Sequence, residues 1–470
     1  MKRTLFNLFA LLIVLSLALT ACGGGAAPAT EAPVVEAPAV NEEPVAATEA
    51  PAAAAEEVTV TIGFTASQTG AQEVSSKRQV NGFNLWMNQV NEAGGLTLSD
   101  GTVVKFAAQS YDDESTKERV QELYTRLITE DNADFLISPY SSGLTAAAAV
   151  IAEQNGKLMI TTGAADDDTY KQGYTGVFQL YTPGSLYLTS TVDMLKTLDP
   201  AAKIAIVNES DKFSTAVVGG LKPYAEAAGF EIVLEEAYAS DTADFGPIIN
   251  KIVDSGATVV LGGGHYPDGS TFARQLYERK VGIQFIALLV APPDSKFSEL
   301  GDAALGVTGP SQWEAKATHT EAEANGLGIE WFGPSGEEFS AAFEAAYGDK
   351  PTYHAAGGYT AGLLLEKAIR DADSIDSEAV KAALDATNIF TFYGGIKFDT
   401  SAEAHGLQIG HSMVVIQWQK NDAGELVREV VWPADVATKA PIFPIAVPVS
   451  YTHLRAHETD SYLVCRLLLE

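Results

Sequence analysis

Residues Asp134–Asp168 read "DFLISPYSSGLTAAAAVIAEQNGKLMITTGAADDD". The apolar run Phe135-Leu136-Ile137 predicts a short buried strand, and "KLMITT" (Lys157–Thr162) predicts another. Between them a helix is expected from about Leu144, carrying Ala146 to Ala149. Strand, helix, strand in so short a stretch is the unit from which helix-covered parallel sheets are built. Ser141, Ser142 and Thr145 crowd hydroxyls where the strand gives way to the helix. Two readings stand side by side. A serine there caps the helix, or the hydroxyls join free N–H groups and the helix dipole in a small anion site.

The alternation extends in both directions. "VTVTIGF" (Val58–Phe64) and "TVVKFAAQSY" (Thr102–Tyr111) predict strands. Phe83, Met87 and Val90, followed by Gly94-Gly95, predict a helix between them, and Val120, Leu123, Leu127 and Ile128 mark one face of the next. A second run follows: "KIAIVN", "FEIVLEEAY", "TVVLGGG" and "QFIALLV" predict strands with helices between. Two such runs imply an α/β protein of two doubly wound parallel-sheet lobes, with ligands bound beyond the carboxyl ends of the strands. The aspartates of "SYDDES" are expected to cap the helix that starts near Thr116.

The ends are of another kind. Lys2, Arg3 and the apolar run Leu5–Leu19 read as a signal peptide over residues 1–21. Leu19-Thr20-Ala21-Cys22 resembles a bacterial lipobox, which makes Cys22 the lipid-bearing N-terminus of the mature chain. Residues 22–57, rich in Ala, Pro and Glu, predict a flexible tether. "VSYTHLRAHET" and "LVCRLLLE", within residues 449–470, resemble the translation of a sequencing-library adapter, in which case His453, His457 and Cys465 carry no information. The roughly 390 residues between suit two lobes. They hold no cysteine, which excludes disulfides and cysteine-ligated metal. A formal net charge of −31 argues against nucleic acid and acidic lipid as partners.

"TIGFTASQTG", "VNEAGG", "YDDES", the opening stretch, "GGGHYPDGSTFARQ" and "TFYGGIKFD" stand in an order similar to that of the Leu/Ile/Val-binding family of type I periplasmic binding proteins, the receptors of ABC importers. The resemblance covers about Val58 to Trp432. It implies two lobes that close like a flytrap on a three-strand hinge, with crossovers near Leu180–Pro183, Val307–Gln312 and Tyr393–Asp399. Residues 58–181 and 311–394 would form lobe 1, and 182–310 and 395–440 lobe 2. It implies a monomer without cofactor or metal, tethered to the membrane by its lipid, with a small solute and an ABC permease as partners.

The family's site carries over in part. The serine that holds a ligand carboxylate falls on Ser142, beside Ser141. The loop of backbone contacts falls on Gly163, Ala164 and Ala165, with Ala165 where the amino acid receptors offer a threonine. Two wall tyrosines fall on Phe213 and His265. The acid that pairs with a ligand ammonium falls near Leu289, which cannot do so. An amino acid is therefore the first expectation, with Asp166, Asp268 or Asp294 as substitute partners for the ammonium. A carboxylate or amide without an α-amino group is the rival. A ligand sensor working through a membrane receptor is a further alternative to transport. Gly262-Gly263-Gly264 lacks dinucleotide spacing. Ser142 with His265 could form a nucleophile–base pair, but no G-x-S-x-G elbow is present and an enzyme is not expected.

Overall fold

The computed structural model describes residues 56–446. The leader, Cys22, the tether up to residue 55 and the adapter-like tail lie outside them. Among the described residues no helix is long and apolar enough to cross a membrane.

In chain order the first elements are β1 (Glu57–Ala66), α1 (Glu73–Glu92), β2 (Leu96–Thr97), β3 (Val103–Asp112), α2 (Lys117–Thr129), β4 (Phe135–Ile137), α3 (Ser142–Gln154), β5 (Met159–Thr161) and β6 (Val177–Gln179). Next come α4 (Thr189–Leu198), β7 (Lys203–Glu209), α5 (Lys212–Ala227), β8 (Glu231–Tyr238), α6 (Gly246–Ser255), β9 (Val259–Gly263), α7 (Tyr266–Glu278), β10 (Phe285–Leu288) and β11 (Thr308–Ser311). The last are α8 (Glu321–Leu327), β12 (Glu330–Trp331), α9 (Gly336–Tyr347), α10 (Tyr353–Ala372), α11 (Ser377–Asp385), β13 (Asn388–Thr391), β14 (Gly394–Lys397), β15 (Val414–Lys420) and β16 (Leu426–Trp432).

Two large sheets carry the two lobes. One has the order β2-β3-β1-β4-β5-β6 and the other β16-β15-β11-β10-β9-β7-β8. Their interiors are parallel, as expected of doubly wound lobes, and antiparallel strands complete them toward the edges. β2 runs antiparallel to β3, and β15 runs antiparallel to both β11 and β16. β15 and β16 are joined by a tight turn in which the Asn421 side chain accepts from the Ala423 and Glu425 amides. A turn that short can join only antiparallel strands. A third, small sheet, β12-β13-β14, was not legible in the sequence. The chain leaves the first large sheet for the second after β6, leaves the second for the small sheet after β11, and returns to the second after β14.

The first lobe's core follows from alternation along β1. Val60, Ile62 and Phe64 are buried, and Phe64 meets Phe83 of α1 at 5.5 Å between ring centroids. α1 begins at Glu73, well before Phe83, the first residue of the predicted apolar face. Its first turns bury Ser75, Ser76 and Gln79, so no apolar period announces them. Two of their atoms are paired: Ser67 N–H donates to Ser76 Oγ (2.9 Å) and Gln79 Nε2 to Ser138 O (2.9 Å). α10 and α1 meet backbone to backbone at glycines. A Cβ on Gly82 would come within 1.9 Å of Ala355 O, and one on Gly358 within 2.0 Å of Gln79 O.

The "SYDDES" aspartates do not cap α2. Asp113 accepts from the Thr65 (2.7 Å) and Ser67 (2.6 Å) hydroxyls, and Asp112 from the Gln68 and Glu114 amides. They tie the end of β3 to the end of β1. Trp313 packs in the core against Phe339 and Phe392.

Candidate functional site

The carboxyl ends of five parallel strands converge on one place. Ser142 follows β4, Gly163 and Ala165 follow β5, Phe213 follows β7, His265 follows β9 and Val290 follows β10. With Tyr140, Tyr181, Tyr187 and Tyr353 they line a narrow cavity between the lobes.

Ser142 answers the question its sequence raised. Ser141 holds the N-cap position of α3, but its side chain makes no cap hydrogen bond, so the capping reading fails. Ser142 Oγ instead accepts from the Ala165 (3.0 Å) and Asp166 (3.2 Å) amides. A hydroxyl has two lone pairs and one proton. Both lone pairs are engaged, so the proton is left to donate into the cavity beside the free amides of the helix start. The loop can present those amides because Gly163 takes φ +75°, and a Cβ there would come within 2.2 Å of Gln79 Oε1.

The opposite wall is Phe213 and His265. Asp211 caps α5, accepting from Phe213 N (3.2 Å) and Ser214 N (2.8 Å), and also pairs with His265 Nε2 at 3.1 Å. His265 Nδ1 lies 3.1 Å from the Tyr140 hydroxyl across the cleft. Burial alone would lower the imidazole's pKa. The Asp211 hydrogen bond and charge outweigh it, with Glu209 and Asp268 adding, and lift it to about 9. Burial likewise pushes Asp211 up, but His265 and the helix amides bring it down to about 2. His265 is thus an imidazolium at neutral pH. The rings of Phe213 and His265 stand 5.7 Å apart, and Tyr187 meets Phe213 edge-on at 5.1 Å.

Glu209, Asp211 and His265 bring ligand-type atoms within 4.8 Å of one another. Both imidazole nitrogens are already engaged, so a cation there would have to displace the Asp211 or the Tyr140 bond.

No Asp or Glu among the described residues lines the cavity. The three substitute acids are engaged elsewhere. Asp166 accepts from the Asp168 and Thr169 amides and the Thr169 hydroxyl, and pairs with Lys212 at 2.9 Å. Asp268 takes the Tyr238 hydroxyl. Asp294 takes the Lys296 amide and faces Arg78 at 3.7 Å. Leu289 is buried, with its amide on Gly262 O, and Val290 faces the cavity instead, one residue beyond the position the ungapped spacing gave. The lobes are closed: Asp166–Lys212, Arg78–Asp294 and Tyr140–His265 all join the first lobe to the second.

Ser142, Gly163, Ala165, Phe213 and His265 are therefore gathered around one cavity, while Ser141 and Ala164 do not line it. The four tyrosines and Val290 were missed. Tyr140 stands in the opening stretch itself, and the rule that ligands bind beyond strand ends could have flagged it. A nucleophile–base pair is not formed, since neither nitrogen of His265 is bonded to Ser142.

A family model described as periplasmic binding protein matches residues 59–424. The chain belongs to that family. Among curated relatives, Leu/Ile/Val-binding protein homolog 7 of Brucella suis biovar 1 is 25% identical over 351 residues, covering 72% of this chain and 84% of that protein. Among solved structures, the branched-chain amino acid transporter substrate-binding protein LivJ of Streptococcus pneumoniae, in complex with isoleucine, aligns with a TM-score of 0.65 at 20% identity. It covers 80% of this chain and all of its own. A solute-binding protein of an R. palustris ABC transporter, in complex with benzoate, aligns with a TM-score of 0.65 at 20% identity, over 79% of this chain and 95% of its own. At these identities the solved structures carry the fold: a type I periplasmic binding protein of two α/β lobes. The family is one of binding proteins rather than enzymes.

Proposed function

We propose that this protein is the extracytoplasmic receptor of an ABC importer and that its solute is a small aromatic carboxylate without an α-amino group. One observation carries the reading: the cavity offers a serine proton and helix-start amides, beside the His265 imidazolium held by Asp211 and Tyr140, and no carboxylate lines it. A buried anion finds donors there, whereas a buried ammonium finds no charged partner. The edge-on and tilted rings of Tyr140, Tyr187 and Phe213 suit a flat apolar body. The R. palustris relative bound to benzoate supports the same class. Cys22 and the tether supply the membrane anchor, and a permease receives the closed monomer.

A thermal-shift screen of amino acids against amine-free carboxylates tests this. At a hundredfold excess over Kd a true ligand stabilises the folded state by about 2.7 kcal/mol. Stabilisation by amine-free acids supports the proposal. A response confined to amino acids refutes it and restores the relatives' named class.

A further inference from the structure

Two ion pairs bridge the lobes, and they differ in quality. Asp166 and Lys212 meet at 2.9 Å. Arg78 Nε stops 3.7 Å from Asp294 Oδ2, beyond hydrogen-bond range. Asp294 is 1% exposed; its Oδ1 takes the Lys296 amide, and its Oδ2 has no hydrogen-bond partner. A buried carboxylate oxygen left unpaired is costly, and native structures rarely leave one without a reason. Here the reason stands at the other end of the guanidinium. Arg78 Nη1 donates to Asp349 of its own lobe, and Nη2 to Ser295 Oγ of the other lobe (3.1 Å). Asp349 lies two residues beyond α9, and the Tyr347 hydroxyl ties that helix end to α1 by donating to Asn81 O (2.8 Å), three residues past Arg78.

We propose that Asp349 is a competitor built into the first lobe, which holds Arg78 back from Asp294 and so biases the lobes toward opening. The guanidinium carries its N–H donors in a rigid fork. With Nη1 drawn to Asp349, the fork leaves Nε short of Asp294 Oδ2. The Asp349 contact lies within one lobe and survives opening, whereas the contacts with Asp294 and Ser295 are lost. Asp349 therefore stabilises Arg78 in the open form and weakens its bond in the closed form, and the two effects act in the same direction. The two acids are also unequal partners. Asp349 is 40% exposed and solvent screens its charge, while Asp294 is buried and would hold Arg78 more strongly if the fork could reach it. None of the four residues lines the cavity, so the device acts on closure and leaves solute recognition alone. A receptor that must give up its solute needs such a counterweight, because affinity includes the closure equilibrium.

The test is small-angle scattering of the ligand-free full chain, fitted as a mixture of closed and open forms. Asp349→Asn should raise the ratio of closed to open molecules about fivefold and shrink the radius of gyration. Arg78→Gln should do the opposite. Once the cross-cleft pair is gone the competitor has nothing to compete for, so adding Asp349→Asn to Arg78→Gln, or to Asp294→Asn, should change nothing further. The Arg78→Gln background decides the matter where the buried Asp294→Asn fails to fold. An unchanged or larger radius in Asp349→Asn overturns the inference. So does a shrinkage of equal size in the Arg78→Gln background, which would show that Asp349 acts through something other than Arg78. Because no solute is added, either result leaves the carboxylate reading to its own titrations.

Discussion

Ser142→Ala separates the two readings of the helix start, because the structure gives the deletion two distinct consequences. The hydroxyl oxygen is the acceptor for two buried amides, those of Ala165 and Asp166. Each amide left without a partner costs about 1–3 kcal/mol, so the ligand-free protein should lose about 2–6 kcal/mol in denaturant unfolding. The hydroxyl proton is also a donor to the bound anion. A hydrogen bond to a charged group contributes about 1.5–3 kcal/mol, equivalent to a roughly 10- to 150-fold rise in Kd by calorimetry. Ser141→Ala is the internal control. An ordinary N-cap serine costs about 1 kcal/mol on truncation, but this one makes no cap bond and its loss should stay within about 0.5 kcal/mol. Equal losses from the two variants, or an unchanged Kd in Ser142→Ala, would refute the assignment.

Two further outcomes follow from the pairs across the cleft. His265 has its folded pKa raised to about 9 from 6.5, so its contribution is fully present below about pH 6.5 and is lost as pH rises through about 9. The loss amounts to roughly 3 kcal/mol, and carboxylate affinity should fall over the same alkaline limb. His265→Gln should flatten both profiles between pH 6.5 and 9; an unchanged alkaline limb in that variant excludes the imidazolium. Lys212→Met removes the Asp166 partner that joins the lobes, and Asp166 keeps its amide donors. The closed state should lose about 1–2 kcal/mol, seen as a larger radius of gyration by small-angle scattering and a roughly tenfold weaker Kd. A radius identical to that of the unaltered protein would show that the pair does not hold the lobes.

The strands of both lobes were legible because β-branched runs and their turn residues report burial directly. "VTVTIGF" and "KIAIVN" became β1 and β7 with nearly the expected bounds. The start of α1 was hidden because its buried face is Ser75, Ser76 and Gln79, polar side chains whose partners come from distant β1 and β4 loops. The antiparallel pairing of β15 with β16 was hidden because pairing direction depends on the connection between strands, not on their composition. At the site, Ser142 and His265 stood out as polar residues at strand ends. Tyr181 and Tyr353 did not, since an aromatic next to an apolar run reads as core until the second lobe is placed over it. The missing ammonium clamp was legible at Leu289. That Asp166, Asp268 and Asp294 are all engaged elsewhere could be learned only from the hydrogen bonds.

Calorimetric titration with two molecules that differ only in an amino group goes straight to the heart of the matter: phenylalanine against 3-phenylpropanoate at pH 7. With no acid on the cavity wall, the amine-free acid should bind and phenylalanine should bind at least about a hundredfold more weakly, a difference of about 2.8 kcal/mol. Tight binding of phenylalanine, with the amine-free acid silent, would contradict it.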